Sequence, residues 1–205
     1  TVDGRNVGGL LKSYVDNSGL ANLKTSTVHP IEDLQDANPK RFKVYGLRNL
    51  VRTLGEIVHQ YGAESILIDA TGGYKAQIAI AVVFGQALEI PVLYKHERFS
   101  EIVDFPPLPI TFDYATLGRN ALLLKAFEDG ATLTYDEISE LDDKVRVLLE
   151  EIEVDGTSVF ALGAVGQVFL TGFRLRSQRS LQLRPVDASQ RQPASFRDDH
   201  YPSGF

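Results

Sequence analysis

The sequence predicts an α/β fold: a doubly wound, mostly parallel sheet followed by a small helix-rich module. Three observations carry that expectation. The run Ser65-Ile66-Leu67-Ile68-Asp69-Ala70 is short and nearly all apolar, the pattern of a strand buried on both faces of a parallel sheet. A tight Thr71-Gly72-Gly73 turn follows, and then Ala76–Leu88, apolar on almost every side, reads as a helix packed against that sheet. Pro91–His96 reads as the next parallel strand. Strand, glycine turn, helix and strand make a βαβ unit, whose crossover is right-handed almost without exception.

The remaining elements follow in order. Leu10, Leu11 and Tyr14 give Gly8–Val15 a helical spacing, and Asp16-Asn17-Ser18-Gly19 stops it. Thr25–Ile31 is short and β-branched, which predicts a strand closed by Pro30. From Pro39 to about Tyr61, Phe42, Tyr45, Leu47, Leu50, Val51, Leu54, Ile57 and Val58 recur at helical spacing, with Gly62 as cap. Pro106-Pro107-Leu108-Pro109 is extended by necessity and leaves the first domain. Beyond it the pattern predicts helices over Tyr114–Glu128, from Thr134-Tyr135-Asp136-Glu137, and over Asp142–Glu151. Ile152–Val154 and Ser158–Ala161 form a hairpin about Asp155-Gly156, and Val165–Phe173 is a closing helix. This order resembles a winged helix-turn-helix. From Arg174 the chain is rich in Gln, Ser, Arg and Pro and reads as a linker.

Composition narrows the function. The 205 residues are 43% hydrophobic, enough for one sizeable core and a small accessory domain. No apolar run is long enough to span a membrane, and no basic-then-apolar leader is present, which argues for the cytoplasm. Cysteine is absent, and His29, His59, His96 and His200 fit no zinc spacing, so neither a metal nor another cofactor is expected. The net charge of −6 argues against a nucleic-acid coat but leaves room for a small anionic ligand in a local cradle of donors. Charge is uneven: residues 1–113 carry 11 basic and 13 acidic side chains, and residues 114–155 carry 4 and 11. From Gly172 onward six arginines face three aspartates. With no methionine, and Thr1 in first place, the chain reads as a fragment of a longer one.

The candidate site is the loop after the Ser65–Ala70 strand, because ligands of wound sheets gather beyond the carboxyl ends of the strands. Gly72 and Gly73 let the backbone turn and present N–H groups, and the following helix adds the positive end of its dipole. Thr71 contributes a hydroxyl, Tyr74 a flat face for a base, and Lys75 a cation in the first helical turn. A helix N-terminus usually favours acids, so a lysine there fits best if an anion shares the site. The loop is neither a Walker A motif nor Gly-x-Gly-x-x-Gly, which leaves ATP hydrolysis and hydride transfer unsupported. Taken alone, the glycine pair is equally consistent with a plain βα turn and a solvated Lys75.

Three blocks resemble the CRISPR-associated Rossmann-fold (CARF) family, in the branch of small sensors and ring nucleases. They are Leu34-Gln35-Asp36 through Pro39-Lys40-Arg41-Phe42 to Gly46-Leu47-Arg48-Asn49-Leu50; Asp69-Ala70-Thr71-Gly72-Gly73-Tyr74-Lys75-Ala76-Gln77; and Val92-Leu93-Tyr94, Glu97–Ile102 and Pro106–Ile110. The resemblance implies a Rossmann-like domain over residues 1–110 that lacks its first strand, since Thr1–Arg5 resembles a later strand end of the family. A winged-helix-like module over 111–173 and a linker over 174–205 would follow. It further implies a homodimer that binds a cyclic oligoadenylate across its two-fold axis. Thr71, Gly72, Gly73, Tyr74, Lys75 and Gln77 would contact the ligand, and Lys75 would stabilise phosphate charge if the ring is cleaved.

Three functions follow: a sensor that regulates a downstream effector in antiviral defence, a metal-independent ring nuclease, or a CARF-winged-helix transcriptional regulator. The acidity of residues 114–155 argues against sequence-specific DNA binding and so against the third. Arg52 and His59, with six residues between, formally match the Arg–His spacing of HEPN ribonucleases. They lie inside an amphipathic helix, where such spacing arises by chance. His96-Glu97-Arg98 reads as strand-end polar residues capping a loop, Asp69 as an acid tying down its neighbour, and Glu97 and Glu101 as a solvated helix face.

Overall fold

The computed structural model describes residues 2–19, 25–98 and 100–180. The final stretch of the expected linker, with His200, lies outside these residues. The first helix, α1, spans Val2–Asn17 and ends where the Asp16–Gly19 run requires it. Val7, Leu10, Leu11 and Tyr14 all remain exposed on it. Thr25–Ile31 is not a strand. β-branched residues favour a sheet only where a neighbour can pair with them, and no described strand does so here.

The long helical stretch is continuous but changes pitch. α2 (Pro39–Arg41) leads through a π-helical turn (Phe42–Gly46) into α3 (Leu47–Tyr61). Gly62 caps it through a hydrogen bond to Val58 O, as its sequence position predicts. β1 is only Ile68–Asp69. α4 (Lys75–Leu88) and β2 (Val92–Lys95) complete the parallel βαβ unit, with Ile68 opposite Val92 and Asp69 opposite Leu93. β3 (Ile102–Phe105) then pairs antiparallel with β2, giving the order β1-β2-β3. Glu97 lies in a turn and Glu101 in the bend just before β3, so the solvated helix face expected there is not formed, although both side chains are exposed. The architecture is mixed α/β, with one parallel and one antiparallel pairing in this sheet.

The helix predicted over Tyr114–Glu128 is broken into α5 (Tyr114–Arg119) and α6 (Ala121–Glu128). Asn120 makes the break, its side chain donating to Thr116 O at 2.9 Å. α7 (Tyr135–Ser139) opens with the capping pair Thr134 and Glu137. α8 (Asp143–Arg146) is short, and the helix predicted to Glu151 gives way to β4 (Leu149–Val154), paired along its whole length with β5 (Thr157–Leu162). Asp155 and Gly156 have φ of 50° and 77°, the positive pair that marks a type I′ hairpin turn.

α9 (Ala164–Ser180) runs beyond the expected end at Phe173, through Arg174 and the start of the predicted linker. Tertiary contacts hold that extension: Arg174 pairs with Glu128, and Arg176 with Glu89 at 3.2 Å. Arg176 also lies over the Tyr114 ring, 5.5 Å from its centre. Among the described residues no helix is long and apolar enough to cross a membrane.

Two cores meet at α9. Val51 and Val58 of α3, Phe84 and Ala87 of α4, and Val168 of α9 belong to one. Leu117, Leu124, Phe127, Leu162 and Leu170 belong to the other, with Phe169 and Phe173 packed against it. α4 is likewise double-faced, since Ala81 packs with Ala70 and Val92 of the sheet while Phe84 enters the helical core. That accounts for its all-round apolar sequence.

Two consequences can be measured. At Gly85, an added Cβ would lie 2.7 Å from Ile90 O and 2.4 Å from Val92 Cγ2. Gly85→Ala should therefore lose about 1–3 kcal/mol, read as a lower urea midpoint. Asp113 caps α5, and the Lys144 ammonium, followed by the Thr116 N–H and hydroxyl, holds its carboxyl down to about 2 from an ordinary 3.8. The folded pKa lies below the unfolded one, so this stabilisation is present above about pH 3.8 and is lost as pH falls through about 2. Asp113→Asn keeps a capping oxygen and loses the ion pair. Urea midpoints should fall below wild type at neutral pH, and the difference should vanish by about pH 2.

Candidate functional site

The Thr71–Lys75 loop is built by hydrogen bonds from both of its flanks. β1 delivers the chain to the end of the sheet with Ala70 buried as an anchor. The Asp69 carboxylate then accepts the Thr71 N–H at 2.9 Å, the tying role expected of it. From the neighbouring strand, the Lys95 N–H donates to Thr71 Oγ1 at 2.9 Å. The side chain expected to face a ligand is thus also a strut between β1 and β2. Its hydroxyl proton remains available to donate.

Gly73 has φ of +110°, and a Cβ there would meet Gln77 Oε1 at 1.9 Å. An L side chain fits neither the backbone nor the space. Gln77 Oε1 accepts the Tyr74 N–H at 2.9 Å. It thereby satisfies one of the donors orphaned at the start of α4. Gln77 is drawn into the loop's own framework, whereas Thr71, Gly72, Gly73, Tyr74 and Lys75 are all exposed.

Two contributors were not read from the sequence. Phe42, in the π-helical turn, packs edge-on against Tyr74 with ring centres 5.2 Å apart, while Tyr74 stays 40% exposed. Lys95 ends β2 beside the loop, held there through its backbone N–H, and its side chain is exposed. Helical spacing marks Phe42 as apolar but cannot say which distant residue it will meet. Among the described residues Lys75 has no carboxylate partner.

The arrangement offers an exposed glycine turn, a held aromatic ring, a hydroxyl and, at a helix N-terminus, a cation without a carboxylate partner among the described residues. Such a surface suits an anion carrying a flat group. The other chemical candidates are placed differently. The Arg98 N–H donates to His96 Nδ1 at 3.1 Å, in keeping with loop capping. Arg52 and His59 lie on α3, away from the loop, and both line a cleft of about 520 Å³ with α9. Among the described residues no group of three or more His, Cys, Asp or Glu could hold a metal ion.

If Gln77 frames the loop, Gln77→Ala should cost about 0.5–2 kcal/mol. It should also raise hydrogen exchange at the Tyr74 amide more than at the Lys95 amide, whose acceptor is Thr71.

A family model described as CRISPR-associated protein (Cas_APE2256) matches residues 1–108, from α1 through β3, with the Thr71–Lys75 loop inside the match. No curated protein matches the chain. The family match spans more than half of the 205 residues and includes the βαβ unit that positions the loop. The chain therefore belongs to the CRISPR-associated protein (Cas_APE2256) family, and its role is CRISPR-related.

Proposed function

We propose that the chain is the CARF sensor of a CRISPR defence protein and binds a cyclic oligoadenylate on the Thr71–Lys75 loop. The observation that carries this reading is the placement of Lys75. It is the first residue of α4, it has no carboxylate partner among the described residues, and it follows the exposed Gly72-Gly73 turn. A helix start repels a cation by a fraction of the ~0.3–1 kcal/mol with which it attracts an anion. A phosphate at the loop removes that conflict and draws on the dipole, the backbone donors and the ammonium together. Tyr74, steadied by Phe42, offers a ring for an adenine.

The β1–α4–β2 unit supports a Rossmann-like reading, because the loop lies beyond the carboxyl end of a parallel strand. All five loop residues are exposed, so one protomer presents an open half-site. A homodimer would close it, and a ring of repeated nucleotides has the symmetry that such a two-fold axis accommodates. On this reading residues 111–173 are a spacer or dimerisation module, with an acidic surface unsuited to DNA.

The unpaired Lys75 also fits a ring nuclease. A ribose 2′-hydroxyl would attack the adjacent phosphorus to form a 2′,3′-cyclic phosphate as the bond to the next nucleotide's 5′-oxygen breaks. That oxygen would leave as a hydroxyl with the proton given up by the 2′-hydroxyl, and the lysine and backbone donors would stabilise the charge that develops on the phosphoryl oxygens. Incubating the full chain with labelled cyclic tetra-adenylate and cyclic hexa-adenylate scores binding and ring opening together. Binding of one ring should weaken about tenfold or more in Lys75→Ala, the value of a charge-assisted contact. Linear products from the wild-type chain, formed more slowly by Lys75→Ala, would make it a ring nuclease. Binding of neither ring would overturn the proposal.

A further inference from the structure

The cleft of about 520 Å³ between α3 and α9 lies apart from the Thr71–Lys75 loop and has the volume of a small-molecule site. Its inner wall is Gln167, only 2% exposed. Gln167 Oε1 accepts from Arg52 Nε at 3.3 Å, and its side-chain NH₂ has no acceptor among the described residues. Arg52 Nη2 donates to the Glu128 carbonyl at 3.3 Å. A guanidinium carries five N–H donors, and among the described residues these two bonds leave three of them unused. Neither contact is with a carboxylate. The Glu128 carboxylate is occupied by Arg174 and Lys125.

A second cation sharpens the imbalance. Arg48 lies one turn before Arg52, its Nε is buried without a partner, and its Nη1 donates to Leu162 O at 3.2 Å. Burial first, and then the charge of Arg52, push the Arg48 guanidinium below its ordinary pKa. Neither Arg48 nor Arg52 makes an ion pair with a carboxylate among the described residues, and of the two it is Arg52 that lines the cleft, beside the Gln167 amide. Like charges four residues apart on a helix oppose one another, and unfilled buried donors are costly.

We propose that this cleft binds the oxyanion group of a small molecule, a phosphate or a carboxylate, held by the Arg52 guanidinium and the Gln167 amide. Arg52 supplies the fork of N–H donors that suits two oxygens of one anion. Gln167 supplies a neutral donor from the wall, and the exposed His59 also lines the cleft. Glu56 is an exposed carboxylate on the lining and repels the same anion. The proposal does not depend on what the Thr71–Lys75 loop binds.

The test is an NMR titration of the full chain with inorganic phosphate and, separately, with acetate. The side-chain N–H signals of Arg52 and Gln167 should shift saturably with one of these probes, which identifies the kind of oxyanion. Arg52→Gln should weaken binding about tenfold or more. Glu56→Gln, which removes a rim charge without touching Arg52 or Gln167, should tighten it and keeps the test decisive if Arg52→Gln fails to fold. The proposal is overturned if neither probe shifts those signals saturably. It is equally overturned if the shifts are confined to the Thr71–Tyr74 amides, or if Glu56→Gln leaves the affinity unchanged.

Discussion

Everything in this structure depends on α9 being buried on two sides at once. Val168 closes the core formed with α3 and α4, while Leu170, two residues on, closes the core of the helical module and hairpin. Each fully buried aliphatic side chain is worth about 1.5–3 kcal/mol, so α9 contributes to both cores from a single rod. Polar ties at its far end extend the same arrangement. Arg174 reaches Glu128 of α6, and Arg176 reaches Glu89 beyond α4. Tyr114 completes the set by donating to Ala87 O at 3.0 Å. The two cores are thereby fixed to one another through a helix that belongs to neither alone.

α4 transmits this rigidity to the candidate site. Its middle is gripped between the sheet and the helices, with Phe84 wholly buried. Its first turn emerges at the loop, where Gln77 and Asp69 hold the backbone and Phe42 holds Tyr74. The exposed groups can therefore be presented in a fixed geometry without being buried themselves. Such an arrangement lowers the ordering cost of binding. It also explains how an acidic chain can offer local cationic surfaces. The net charge of −6 is carried largely by residues 114–155, while Lys75, Arg48 and Arg52 make no ion pair among the described residues.

Local chemistry made several elements legible. The Asp155-Gly156 turn, the Thr134–Glu137 cap and the apolar run of α4 each depend on residues within a few positions of one another. The Thr71–Tyr74 turn was legible for the same reason, since two glycines following an apolar strand leave the backbone few alternatives. The misses share the opposite cause. Val145, Leu148, Leu149 and Ile152 have helical spacing, yet pairing with Thr157–Leu162 across the turn draws Leu149–Val154 into a strand. Thr25–Ile31 has strand composition but no partner. β3 was hidden because it is only four residues long and Asp104 interrupts its apolar residues, and its pairing with β2 supplies the missing stability.

The sequence by itself determined the βαβ unit, the loop after its first strand and the hairpin turn. These follow from backbone geometry and short-range hydrogen bonding, which the identities of neighbouring residues dictate. Tertiary structure alone decided that α9 continues past Phe173, because its arginines are stabilised by Glu128 and Glu89, far away in the chain. It also decided that Gln77 frames the loop and that Phe42 steadies Tyr74. It placed Arg52, His59 and Gln167 around one cleft. Those outcomes depend on which surfaces meet when two cores close on the same helix, and no local pattern encodes that meeting.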